Sequence, residues 1–190
     1  MKHLSVLVAA AAFATGLASA VARADVSVDP PHTSVAFSVK HLTLTTVSGT
    51  IGVKSASIGV GADDVLTSAV ATLDLSTIDT KVGDRDNDLR SDHWFDVAKY
   101  PLLTFKSTKI GGDKNAMKVT GDLTFHGITN PVTLDAKYEG SVKDDKGRTH
   151  RGYSATGVID RTKWNLGNNY PAIVVGNDVT ITINLEAVSS

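Results

Sequence analysis

The sequence predicts an all-β domain of about eight antiparallel strands with one short helix, and three observations point there. Apolar and polar residues alternate with period two in one segment after another. Clusters of turn-forming residues separate those segments. A single stretch departs from the rhythm toward helical spacing. At 190 residues the chain has the size of one domain.

The first 24 residues stand apart from this pattern. Met1-Lys2-His3 is a short basic start, Leu4 to Leu17 is an Ala-rich run without charge, and Ala22-Arg23-Ala24 offers an A-x-A cleavage pattern, with Ala18-Ser19-Ala20 as a second. Residues 1–24 therefore read as a cleaved secretory signal peptide and residues 25–190 as a single domain. The rival reading is a membrane anchor, but the apolar run is shorter than the roughly 20 residues a spanning helix needs. Without Cys no lipid anchor of the lipoprotein type can form. Taking Lys2 and Arg23 from the 19 basic residues leaves 17 against 20 acidic ones, a formal charge of −3 on the exported product. Export without disulfides fits the bacterial periplasm, because a chain of this size can build a core unaided.

Val35, Phe37 and Val39 open the alternation, and Val47 to Ile58 continues it. Ala69-Ala71-Leu73-Leu75 follows, then the one exception, Gly83 to Phe95, rich in Asp, Asn and Arg, with Leu89 and Trp94 or Phe95 at loosely helical spacing. That stretch reads as a short helix packed beside or over the sheet. Leu103 to Ile110, Ala116 to Phe125, Val132 to Tyr138, Tyr153 to Ile159 and Val179 to Leu185 complete the strands. Turns are expected at Gly111-Gly112-Asp113, His126-Gly127 and Asp144-Asp145-Lys146-Gly147. Such a set can form a sandwich or a closed barrel, and composition does not choose. Ala69, Ala71, Ala136, Ala155 and Gly157 are small, which either leaves space inside or lets large residues of the facing wall fill it.

Composition removes several functions. Balanced charge with no long basic run gives no footprint for nucleic acid. The lack of Cys removes thiol catalysis, iron–sulfur clusters and cysteine zinc sites. Gly-x-Ser-x-Gly, the phosphate loop, the dinucleotide fingerprint and H-E-x-x-H are absent. Asp29, His32 and Ser34 lie close together, but a triad is assembled by geometry, not by neighbourhood in sequence. Asp63-Asp64 and Asp144-Asp145 read as solvated turn carboxylates. No two His residues stand at a helical ligand spacing, so no metal site is expected.

Particular motifs carry a resemblance. His32-Thr33-Ser34-Val35-Ala36-Phe37-Ser38-Val39-Lys40-His41-Leu42, Val47-Ser48-Gly49, and Ser76-Thr77-Ile78-Asp79-Thr80 followed by Arg85-Asp86 and Leu89 make the first half. Phe95-Asp96-Val97-Ala98-Lys99-Tyr100-Pro101, Phe105-Lys106-Ser107-Thr108, Gly121 to Val132, and Tyr153 to Arg161 make the second. Collinear over nearly all of residues 25–190, they resemble the YceI-like polyisoprenoid-binding proteins. The resemblance implies a lipocalin-like antiparallel barrel with an elongated apolar interior, secreted or periplasmic, enclosing a long apolar chain such as a polyisoprenoid, an isoprenoid quinone or a fatty amide. No cofactor is expected beyond such a ligand, and the charge balance, the missing catalytic motifs and the short apolar run lead to no expectation of a nucleic-acid partner, of catalysis or of a stable membrane anchor.

The wall candidates are then the inward apolar residues Phe37, Val39, Leu73, Leu75, Phe105, Leu123, Val132, Leu134, Ile159, Ile181 and Ile183, each of which core packing would equally explain. Leu42, Leu44, Phe95, Ile128, Trp164 and Leu166 are candidates for rim and floor. His41 continues the odd-numbered row of β-spaced residues and could meet a carbonyl or hydroxyl at the end of an apolar tube. Arg85 either makes a local helix-end contact or donates to a head group. Asp88 stands where the family pattern Arg-Asp-x-His-Leu has His, which disfavours an anionic head group beside it. Arg161, after Asp160, reads as a structural bracket.

Apolar burial alone suffices for affinity: about 30 heavy atoms at ~0.3 kcal/mol each give roughly 9 kcal/mol, in the submicromolar range. Two alternatives to a lipid carrier stay open: a filled barrel acting as an interaction or stress-response module, and an enzyme on an apolar substrate. A homodimer through an exposed edge such as Val26–Val28 also stays open.

Overall fold

The computed structural model describes residues 24–189. The expected leader lies outside them except for Ala24, which pairs with Val60. Nine antiparallel strands appear in chain order: β1 Ala24–Val28, β2 Ser34–His41, β3 Thr45–Val60, β4 Leu66–Asp79, β5 Leu102–Asp113, β6 Ala116–Phe125, β7 Ile128–Lys143, β8 Thr149–Asp160 and β9 Val175–Ser189. One helix, α1 Gly83–Arg90, stands between β4 and β5.

Each strand pairs with its neighbours in the order β1-β3-β2-β9-β8-β7-β6-β5-β4, and β4 returns to β3, closing the sheet on itself. β1 and β2 share one place, both lying between β3 and β9. The 3₁₀ turn Pro30–His32 separates them, because Pro30 and Pro31 offer no N–H to a ladder. The result is a closed barrel of eight strand positions, as the periodicity and the resemblance together predict. One expectation is corrected here. Ser27 pairs with Ser57 on one side and Val188 on the other, and Val26 and Val28 are core residues, so Val26–Val28 is no free edge for a dimer.

Two local expectations shift. Gly111 to Asp113 remain in β5, and the reversal falls on Lys114 and Asn115. Gly112 adopts φ 100°, where an added Cβ would run into the Ala116 carbonyl oxygen. The helix ends at Arg90, so Trp94 and Phe95 belong to the turns after it. Leu89 is its sole large apolar residue, and what fixes α1 is polar: Asp86 is buried and accepts from the N–H and the hydroxyl of Thr80, at 2.8 and 2.5 Å.

Side chains at the β1 end fill the barrel. Val26, Val28, Ile58, Val60, Leu66, Met117, Val119, Tyr153 and Ala187 form a continuous core there, with Ala69, Ala136 and Ala155 packed into it. Tyr153 spans it and donates to the Asp64 carbonyl at 3.1 Å. At this end the small residues are indeed covered by the facing wall. Gly157 is covered instead from the neighbouring strand, under Leu134 of β7, 2.6 Å from where a Cβ would stand.

Candidate functional site

Above that plug the interior is open. A cavity of about 370 Å³ is lined by Val35, Phe37 and Val39 of β2, Val47 and Ile51 of β3, Ala71 and Leu73 of β4, Leu103 and Phe105 of β5, Leu123 and Phe125 of β6, Val132 and Leu134 of β7, Ile159 of β8, and Val175, Val179, Ile181 and Ile183 of β9. Its volume is that of a small-molecule pocket. From Val175 to Ile183 the wall runs eight residues, roughly 26 Å at ~3.3 Å per residue, so the space is long and narrow.

Two glycines keep it open. Phe37 faces Gly49 across the β2–β3 ladder, and the Phe105 ring lies on Gly121. A Cβ at either glycine would stand 2.6 or 2.5 Å from ring carbon. Each aromatic ring can therefore fold flat against the wall, leaving the axis free.

The mouth is closed over by two segments. One is α1 with the turns that follow, the other the loop from the 3₁₀ turn Arg161–Trp164 to β9. They meet where the Trp94 indole stacks on Tyr170, ring centres 5.0 Å apart, with Gly167 against its edge and the Arg161 guanidinium 5.7 Å from its centre. Asp88 accepts from the Trp94 indole N–H at 2.9 Å, so the residue that departs from the family pattern has a structural task here. Arg161, 2% exposed, donates to the carbonyls of Leu166, Gly167, Tyr170, Val175 and Gly176 and to the Asn177 amide oxygen. Burial lowers its pKa. It is the bracket that the sequence suggests, organising the loop while its face borders the cavity.

Arg85 gives Nε to the Thr80 hydroxyl and one terminal nitrogen to the Thr80 carbonyl, at 2.8 and 2.9 Å. That is the local contact expected of it, yet the side chain also lines the mouth beside Asp88, Lys40 and His41. His41 is exposed at the rim.

Of the candidate residues, Phe37, Val39, His41, Leu73, Arg85, Phe95, Phe105, Leu123, Val132, Leu134, Ile159 and Ile181 come together around this one space. Leu42, Leu75 and Trp164 do not. Leu42 projects into solvent from the β2–β3 turn, as does Leu44. Leu75 is sealed in a cluster with Ile51, Leu73 and Ile78. Trp164 lies behind the wall, stacked on Phe125 at 4.8 Å and donating to the Leu123 carbonyl. Ile128 also stays outside the lining, whereas Leu166 joins it. Sequence reasoning missed Val47 and Ile51, which continue the odd-numbered inward row of β3, and Leu89, Trp94, Tyr170 and Val174, which no strand periodicity could indicate.

Comparison with known proteins agrees with this architecture. A YceI-like domain model matches residues 27–187. Protein YceI of Escherichia coli O157:H7 is 34% identical over 174 residues, covering 90% of this chain and 89% of its own. The crystal structure of the Campylobacter jejuni YceI protein superposes with a TM-score of 0.71 at 29% identity, over 80% of this chain and 90% of that one. A polyisoprenoid binding domain from Saccharophagus degradans shares the fold, with a TM-score of 0.62 at 16% identity over 87% and 98%. A closed eight-position barrel with one helix at its mouth, matched along almost its whole length, places this chain in the YceI-like family.

Proposed function

We propose that this protein is a periplasmic carrier that encloses a long-chain apolar ligand, a polyisoprenoid, an isoprenoid quinone or a fatty amide, and releases it unchanged. The observation that carries this reading is the narrow apolar cavity, plugged at one end and roofed by Trp94 and Tyr170 at the other. The Saccharophagus degradans domain, described as polyisoprenoid binding, supports the choice of ligand class. Titratable groups gather only around the mouth, where Lys40, His41, Arg85 and Asp88 would meet a head group. Deeper in, the lining is aliphatic and aromatic, which suits binding better than turnover.

Native mass spectrometry of protein isolated from its own cells, followed by organic extraction, tests the reading. A stoichiometric apolar chain is the expected result. Absence of bound mass, with no uptake of added isoprenoid, quinone or fatty amide, would reject it in favour of an interaction module. Ala71→Leu places a branched side chain in the cavity and should weaken binding of long chains at least about tenfold, since several buried CH₂ contacts at ~0.8 kcal/mol each are displaced. Unchanged affinity in that variant would mean that the ligand sits elsewhere.

A further inference from the structure

The Pro30–His32 turn that breaks the first strand position brings together side chains that the cavity does not use. A 3₁₀ turn eclipses residues three apart, so Asp29 and His32 stand side by side, with His32 Nδ1 3.0 Å from Asp29 Oδ2. Glu186 joins them from the outward-facing row of β9. The main chain fixes this junction from both sides: Asp29 N–H donates to the Glu186 carbonyl at 2.8 Å, and Glu186 N–H donates to the Thr33 hydroxyl at 3.2 Å. One ligand atom from each of Asp29, His32 and Glu186 lies within 4.8 Å of the others. Behind them His150 of β8 contacts Glu186 Oε1 at 2.7 Å through Nδ1 and Asp144 Oδ2 at 3.2 Å through Nε2.

We propose that Asp29, His32 and Glu186 form a binding site for a divalent transition-metal cation of the Zn²⁺ type, on the outer face of the barrel and independent of the cavity. One imidazole and two carboxylates are a suitable donor set for such an ion, with ligand distances of roughly 2.0–2.2 Å reached by small side-chain rotations. The His150–Asp144 pair supplies an outer shell, a carboxylate-backed imidazole that orients the Glu186 carboxylate. Charge points the same way. Asp29, Glu186 and Asp144 are negative and Arg148, bound to Asp144, is positive, so these four groups carry a net charge of −2 that attracts a cation, which takes the place of the proton on His32. The sequence reading expects no metal because its His residues are badly spaced for one; here two ligands come from a single turn and the third from the far end of the chain.

Titration of tag-free, chelator-treated protein with Zn²⁺ by isothermal calorimetry tests the site. One equivalent should bind, and His32→Ala and Glu186→Gln should each weaken binding by more than about tenfold, with a smaller loss for His150→Ala. His32 is 66% exposed, so its removal leaves the barrel folded. His93→Ala, which alters the separate pair with Asp88, should change nothing. On the unaltered protein, Zn²⁺ should shift the imidazole NMR signals of His32. No binding, equal binding in the His32 and Glu186 variants, or a shift confined to His93 or His41 would overturn the proposal.

Discussion

Trp94 and Trp164 are the chain's two indoles, and both belong to one apolar cluster, but Trp94 lines the cavity whereas Trp164 does not. Trp94 borders the space directly, while Trp164 is screened from it by Phe125. Ligand entry should therefore change the emission of Trp94 alone. A ligand-induced fluorescence change should vanish in Trp94→Phe and persist in Trp164→Phe; the opposite pattern would move the ligand to the Trp164 side. Arg161 illustrates another residue-scale constraint. Its planar fork meets six acceptors at once, which the point charge of Lys cannot do. Arg161→Lys should cost roughly 2–4 kcal/mol in urea unfolding through the buried carbonyls left unpaired.

At the scale of elements, the β7–β8 hairpin is tied to β9 by ionisable groups. His150 has a raised pKa, first because of its hydrogen bond with Glu186 and then because of Asp144. His32 is raised by its hydrogen bond with Asp29 and by the charges of Asp29 and Glu186. Asp144 loses solvation, which alone would raise it, but bonds from Arg148, His150 and the Lys146 amide hold it well below the carboxylate range. The signs follow from linkage. Groups raised in the folded state contribute their full stability below the unfolded His value of about 6.5 and lose it as pH rises through the folded value. The Asp144 contribution is present at neutral pH and is lost only in strong acid. In metal-free protein, thermal stability should fall as pH rises above about 6.5, and His150→Gln should flatten that slope. A slope that persists unchanged would place its origin away from this junction.

For the whole molecule, plug and roof make occupancy and stability one problem. A ligand held inside the closed barrel binds the folded state alone, so at 100 times its Kd it adds about 2.7 kcal/mol. For a domain of this size that corresponds to a rise in Tm of roughly 5–10 °C. A candidate lipid that binds in the cavity should produce this shift in wild-type protein and at most about half of it in Ala71→Leu, whose tenfold weaker binding leaves about 1.4 kcal/mol at the same concentration. An equal shift in both would indicate attachment to the outer surface.

Period-two alternation marks the strands, their inward rows and most of the residues that line the cavity, because a pleated strand turns every second side chain to the same face and the rows on β2, β4, β6 and β9 are regular. Period two finds Phe37, Leu73, Leu123 and Ile181 without knowing how the sheet closes. It did not distinguish a residue that lines empty space from one that fills it: Leu75 and Leu73 are alike in sequence, yet Leu75 is sealed in packed core while Leu73 meets the cavity. Nor could it show that Phe37 and Phe105 lie on Gly49 and Gly121, since those contacts depend on register between strands. The roof over the mouth and the Asp29–His32–Glu186 junction were decided by tertiary structure alone. They join segments between about 70 and 160 residues apart, and no local periodicity encodes a distance that only closure of the barrel sets.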